Sequence, residues 1–453
     1  MLSFEPNPDA QPLELISLSG FDSWREQQSE VTQQWIATAR FHALANQFVT
    51  LPDDKGNPSR IVVGIGEKQT IESIGSLPKL LPVGSYRLAD PNLENLYELC
   101  LGWGLGAYQY KAALGYVKSR KISLHIPDTV SLVADEIDAI NLARTLISKP
   151  ANLMLPGDLE EAFCEVGAQY HANVQVTTGD ELLEKGYRTI YTVGKASTTK
   201  PRLLDLTWGD PNARKITVLG KGVCFDSGGL DLKPAAGMRS MKKDMGGASI
   251  ALGLAKLIMA RNLPVRLRLL IPAVENAVAG NAYRPGDVIE TYKGSRVEVG
   301  NTDAEGRLIL CDALTLATEE KPELMIDFAT LTGAARTAVG PDVSAMFCTD
   351  DKIAGELEQI GQNCLDPIAR LPLHRGYRAS LNSPVADLCN ISSMNTAGAI
   401  TAALFLQHFV GETPWIHFDI NAWNERTRPA RPSGGEAMAL RATYRFLEDY
   451  TAT

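Results

Sequence analysis

The sequence predicts an α/β protein in two parts: a smaller N-terminal α/β domain over residues 1–127 and, beyond a connecting helix at 128–149, a larger domain at 150–453. The larger domain is expected to have a mostly parallel central sheet flanked by helices. Three observations carry this. The chain has 453 residues, more than one core usually organises. Its composition, 45% hydrophobic and 21% charged, is that of an ordinary globular protein. Short apolar runs alternate with helix-like stretches along its length.

In the first 125 residues, the apolar run 61–65 reads as a strand, and 24–46 and 92–114 read as helices. The glycine-rich stretch 102–107 looks superficially like a dinucleotide loop. Ala107 stands at the third-glycine position and no strand precedes it, so helix packing is the better reading. Residues 130–148 form one predicted helix, with Leu132, Ile137, Ile140, Leu142, Ala143 and Leu146 on its apolar face and Pro150 ending it. Beyond it, strands are expected at 189–193, 203–208, 216–219, 265–273, 324–329 and 415–420, and helices at 247–261, 308–319 and 397–410. In such sheets ligands bind beyond the carboxyl ends of the strands.

Charge and cysteines narrow the classes. With 44 Lys and Arg against 53 Asp and Glu, the net charge is −9, which gives no general drive toward nucleic acid or an acidic membrane. No run approaches the ~18 apolar residues that cross a bilayer, and the acidic start carries no secretory pattern, so a cytoplasmic protein is expected. The 7 scattered cysteines lack a CxxC pair and the 6 histidines lack an HExxH arrangement, so any metal must be held mainly by oxygen.

Two segments carry the chemistry. GKGVCFDSGGLDLKP at 220–234 follows a strand, and its glycines let backbone approach a ligand while Lys221 and Asp226 stand at the sheet edge. Asp244 precedes Gly246 and Gly247 at a helix start, where a capping role is the alternative. In EVGNTDAEGRL at 298–308, Asp303, Glu305 and Arg307 alternate with small residues. An extended conformation would make them converge, whereas on a helix Glu305 would point away. Four carboxylates in apolar surroundings would each cost several kcal/mol unless neutralised. Lys221, Lys233 and Arg307 cannot balance them if one lysine is a neutral ligand, whereas two divalent cations would. Spacing alone therefore supports metal-assisted hydrolysis without separating a peptidase from a phosphoesterase.

These segments, together with MKKDM at 241–245, YRPGDV at 283–288 and TLTGA at 330–334, closely resemble the leucyl (cytosol) aminopeptidase family. NTDAEGRL at 301–308 matches the family's signature octapeptide without a substitution. Weaker resemblance runs from LARTLISKPAN at 142–152 through AITAALF at 399–405 to WIHFD at 415–419, roughly the last two thirds of the chain.

The resemblance implies that residues 150–453 are a catalytic metallopeptidase domain holding two divalent metal ions, zinc or manganese, with magnesium or cobalt as further candidates. Asp226 and Glu305 would bridge the ions, Lys221 and Asp244 would complete one site, and Asp303 the other. Lys233 would stabilise the oxyanion, and Arg307 would hold a bicarbonate acting as general base. Asn301, Thr330, Leu331 and Gly333 would position a peptide with a free N-terminus, and Met241 would line the side-chain pocket unless it merely fills core. His417 is expected to be a satisfied core histidine and not a ligand. A cytoplasmic homohexamer is implied, with no membrane partner.

One departure from the family pattern is Lys243, a basic residue beside Asp244 where members often have tyrosine or another non-basic residue. Some bacterial members also act as DNA-binding architectural proteins. The basic candidates for that alternative are Arg426, Arg428 and Arg431, or Lys118, Arg120 and Lys121, although solvated or interface-forming loops are favoured.

Overall fold

A computed structural model describes residues 1–5, 7–53, 55–90, 93–110 and 120–452. They divide into two units, residues 1–141 with 425–433 and residues 142–424 with 434–453. The division falls within the helix Val133–Ser148, so this helix is shared between the units, and a short C-terminal segment returns to the first. The helix is preceded by a 3-10 turn, Asp128–Val130. Leu132, expected on its apolar face, is exposed because the helix starts after it.

The first unit contains a six-stranded sheet ordered Leu2–Ser3, Ile122–His125, Gly84–Leu88, Gln11–Ser17, Pro58–Gly66 and Phe48–Pro52. Only the last pair is antiparallel. The helix expected over 24–46 is two shorter ones, Phe21–Glu26 and Glu30–Thr38. Ser29 caps the second by accepting from the Thr32 amide, and beyond it Arg40, Ala43 and Asn46 take positive φ, which a helix cannot continue through. Of the expected 92–114 helix, Leu96–Gly106 is helical, while Asn92 and residues 111–114 lie outside the described residues. Its glycines serve packing: a Cβ at Gly102 would stand 2.1 Å from the Ile71 carbonyl oxygen, and one at Gly106 1.7 Å from that of Gly75. The returning segment pairs Arg431 with Glu72 at 2.9 Å and lays Ala430 against Gly75.

The second unit is built on a nine-stranded sheet. Its centre is the parallel set Trp415–Asp419, Leu324–Ala329, Arg214–Gly220 and Val265–Asn276, with Gly222–Asp226 also parallel to the last. Antiparallel pairs occur toward both edges: Arg202–Trp208 joins Val265–Asn276 and Asn173–Thr178, and Ser344–Cys348 joins Trp415–Asp419. Helices cover both faces. Leu219, Leu270, Val274 and Met325 share one core cluster with the helices Glu305–Thr318 and Gly398–Val410. The opposite face receives Gly246–Ala260, where a Cβ at Gly247 would meet the Phe328 carbonyl oxygen at 2.0 Å. The predicted α/β architecture is thus present.

One predicted strand is not. Residues 189–193 lie in the helix Arg188–Gly194, which buries Thr189, Ile190 and Val193 and packs against Glu305–Thr318. The Thr189 amide donates to Asp312 Oδ2 at 2.9 Å, so tertiary partners override the β-propensity of a Thr-Ile-Tyr-Thr-Val run. Among the described residues no helix is long and apolar enough to cross a membrane.

Candidate metal centre

The parallel strands deliver their carboxyl ends to one place. Lys221 leaves Arg214–Gly220 with its amide donating to the Phe328 carbonyl and its carbonyl accepting from the Ala248 amide, both at 2.9 Å. Asp226 closes Gly222–Asp226 after a register irregularity that aims its side chain inward. Its Oδ1 accepts from the Gly228 amide and from Asn276 Nδ2, each at 2.8 Å. Thr330 follows Leu324–Ala329, and Thr330 Oγ1 lies 2.8 Å from Asp244 Oδ1 and 3.0 Å from the Asp244 carbonyl oxygen. Asp244 does not cap the helix after it, which begins after Met245 without a side-chain cap.

The octapeptide folds differently from the extended expectation. Asn301 Oδ1 accepts from the Asp303 amide at 2.6 Å, and the chain then turns so that Glu305 opens the helix Glu305–Thr318. Glu305 still faces the cluster: its Oε1 lies 2.9 Å from Lys221 Nζ. Arg307, two residues and so about half a turn further in, points elsewhere. Its Nη1 donates to the Asn390 carbonyl at 2.5 Å, and its buried Nε has no partner among the described residues.

Lys221, Asp226, Asp244, Asp303 and Glu305 line a common cavity of about 310 Å³ together with Lys233, Met241, Thr330, Leu331 and Gly333. Carboxylate oxygens of Asp226, Asp244 and Glu305 lie within 4.8 Å of one another. Lys221 Nζ is 2.7 Å from Asp244 Oδ2, 2.9 Å from Glu305 Oε1 and 2.9 Å from the Thr330 carbonyl oxygen. Lys233 Nζ is 2.8 Å from Asp226 Oδ2 and also pairs with Asp303. Asp303 is the most open of the four acids. Asn301 holds the turn through the Asp303 amide and is not among the residues lining this cavity.

Electrostatics show the strain of this grouping. Burial, reinforced by neighbouring carboxylates, raises Glu305 to about 8 and Asp303 to about 6, and also raises Asp244. Burial alone would lower both Lys221 and Lys233, but the surrounding carboxylates outweigh it and raise them. Glu305 Oε2 remains buried with no hydrogen-bond partner among the described residues. A dense set of oxygen donors with more acids than cations and an orphaned buried carboxylate oxygen fits divalent metal.

Sequence reasoning did not single out several supporting residues. Asn276 and Asn390 are fully buried amides that orient Asp226 and the octapeptide turn, and an isolated Asn carries no sequence signal for such a role. Arg336, Ile420 and Asn421 also line the cavity. Lys243 lies on its wall, with Nζ donating to the Asn421 carbonyl at 2.8 Å. His417 is fully buried, its Nδ1 2.6 Å from Asp327 Oδ1, while its Nε2 has no partner among the described residues. Of the basic residues weighed for nucleic acid, Arg431 pairs with Glu72, Arg120 donates to the Lys79 and Leu81 carbonyls, and Lys118 lies outside the described residues.

Known proteins resemble this chain in sequence and fold. Residues 141–444 match the cytosol aminopeptidase family, catalytic domain, and residues 11–127 match the M17 aminopeptidase, N-terminal domain. A "Probable cytosol aminopeptidase" of Geotalea uraniireducens (strain Rf4) is 33% identical over 89% of this chain and 87% of its own length. One from Geobacter sp. (strain M21) is 41% identical over 68% of this chain and 63% of its own length, so that alignment spans under two thirds of the relative. The crystal structure of cytosol aminopeptidase from Coxiella burnetii is 45% identical, with a TM-score of 0.94 over 99% of both chains. The bottromycin maturation enzyme BotP in complex with Mn is 29% identical, with a TM-score of 0.88 over 98% of this chain and 100% of that one. The fold, the cavity and these matches together show that the chain belongs to the cytosol aminopeptidase family, a family of peptidase hydrolases.

Proposed function

We propose that the protein is a metal-dependent aminopeptidase that hydrolyses the first peptide bond of peptides with a free N-terminus. The observation that carries this reading is the convergence of Lys221, Asp226, Asp244, Asp303 and Glu305 on one cavity at the carboxyl ends of parallel strands. These five would hold two divalent cations, zinc or manganese with magnesium or cobalt as alternatives. Such ions supply Lewis acidity, activation of water near neutral pH, and a docking point for the substrate amine.

The chain's own groups do the rest. Lys221 must give up its proton to become a ligand, and its enclosed, desolvated position favours that once cations offset the carboxylates. Lys233, more exposed than Lys221, has a flexible ammonium that would turn from Asp226 and Asp303 to the oxygen of the scissile carbonyl as charge develops there. Arg307 has an unused Nε that suits a bicarbonate, which would take the proton of the attacking water. Backbone around Thr330, Leu331 and Gly333 would orient the peptide, and Met241 would cover its first side chain.

A cytoplasmic homohexamer is part of this reading. Chelation should abolish release of N-terminal amino acids, and adding back zinc or manganese should restore it. Activity surviving complete metal removal would overturn the proposal, and cleavage of phosphate esters in place of peptide amides would redirect it to a phosphoesterase.

A further inference from the structure

One wall of the cavity carries cations that the metal cluster does not use. Arg336 is exposed on the helix Gly333–Val339, three residues past Gly333, where a Cβ would meet nothing within 4 Å. Among the described residues no carboxylate stands within ion-pair distance of it. The nearby acids are already committed: Asp419 accepts from the Leu331 amide at 3.1 Å, the Thr332 amide at 3.0 Å and Thr332 Oγ1 at 2.6 Å. Asp244 is held by Thr330 and Lys221. Lys243 Nζ lies on the same wall, with one proton given to the Asn421 carbonyl and two further donors unassigned. Met241 and Ile420 add apolar surface to the same cavity.

We propose that this wall makes the enzyme select peptides whose N-terminal residue carries a side-chain carboxylate, with Arg336 as the specificity-determining cation. The inference rests on the aminopeptidase reading and names the substrate class of the same site. A glutamate side chain suits such a lining: its two methylenes would lie against apolar side chains such as Met241 or Ile420, and its planar anion would meet a guanidinium fork. An Arg at the rim of a partly enclosed cavity gains more from such an anion than one in open solvent, because the surroundings screen it less. Leucine fills the apolar part and leaves the cations unmatched.

The test compares hydrolysis of Glu-, Gln- and Leu-arylamides by the metal-loaded enzyme. These substrates have no C-terminal carboxylate, so an effect of Arg336 on a peptide's far end is removed. Glu should exceed its neutral isostere Gln in kcat/KM by roughly tenfold or more, as a charge-assisted contact predicts. Arg336→Gln should bring the Glu:Gln ratio toward one, and Arg336→Glu should invert it. Arg336 is exposed, so neither variant threatens the core. A wild-type ratio at or below one, or a ratio that Arg336→Gln leaves unchanged, overturns the inference. Ready cleavage of Leu-arylamide alongside that result leaves the aminopeptidase reading standing, whereas cleavage of none of the three overturns both.

Discussion

Gly306 lies directly against the side chain of Lys221: a Cβ built at Gly306 would stand 2.5 Å from Lys221 Cε and 2.8 Å from its Nζ. The glycine of the octapeptide is therefore a spacer that sets where the lysine amine sits. Gly306→Ala pits two effects against each other. Alanine favours a helix over glycine by about 1 kcal/mol, but the Lys221 amine is buried and held by Asp244 and Glu305, so displacing it should leave a net loss of about 1–3 kcal/mol. The displaced amine should also lower kcat/KM by about 10- to 100-fold, since a misplacement of about 1 Å has that scale. Denaturation and kinetics on the same preparation check this, and normal kinetics would show that the amine's position is not critical.

Lys233→Ala should separate turnover from metal binding. With the five ligand groups untouched, metal content measured by mass spectrometry should match wild type while kcat falls by about 10²- to 10³-fold, the usual loss for an oxyanion donor. Retained turnover would remove Lys233 from that role.

Asn390 holds the octapeptide from outside. Its Oδ1 accepts from the Gly300 amide at 2.7 Å and the Asn301 amide at 3.2 Å, and its Nδ2 donates to the Asn301 carbonyl at 2.8 Å and the Ala304 carbonyl at 3.2 Å. Asn390→Ala leaves those groups unmatched in a buried site and should cost about 2–4 kcal/mol. A thermal melt should show the loss, with kcat/KM falling as the turn carrying Asp303 loosens.

The pair His417 and Asp327 predicts a pH dependence. Burial alone would lower His417, but the Asp327 carboxylate at 2.6 Å outweighs it and raises it above the ordinary 6.5. A base whose folded pKa is raised contributes stability that is complete below the unfolded value and lost as pH rises through the folded one. Unfolding free energy should therefore decline above pH 6.5, and in Asp327→Asn that part of the decline should disappear. A variant with the same slope as wild type would show that the histidine does not titrate with folding.

The site was legible where chemistry forces residue types into a short span. Asp303, Glu305, Asp226 and the lysines announce themselves because carboxylates beside glycines in apolar surroundings demand neutralisation. Their local shape was less legible. An alternating DxExR reads as extended, yet Glu305 reaches the cluster as the first residue of a helix, since where a helix begins matters more than its period. Arg307 consequently faces Asn390, about 80 residues away in sequence. Residues 189–193 read as a strand because β-branched side chains dominate, and only packing on a later helix makes them helical. The central strands at 216–219 and 324–329 were plain, because strands buried on both faces must be apolar throughout. Asn276 and Asn390 could not be read, since their partners are distant along the chain, and Arg336 could not, since only the fold brings it to the cavity.

The return of residues 425–433 to the first unit has a consequence for biosynthesis. During translation, Glu72 and Gly75 emerge long before Arg431 and Ala430, their eventual neighbours, have been made. The early-emerging unit stays unfinished until nearly the entire polypeptide has left the ribosome. A fragment ending near residue 141 would lack its last piece, so excising that unit calls for supplying the distal peptide as well.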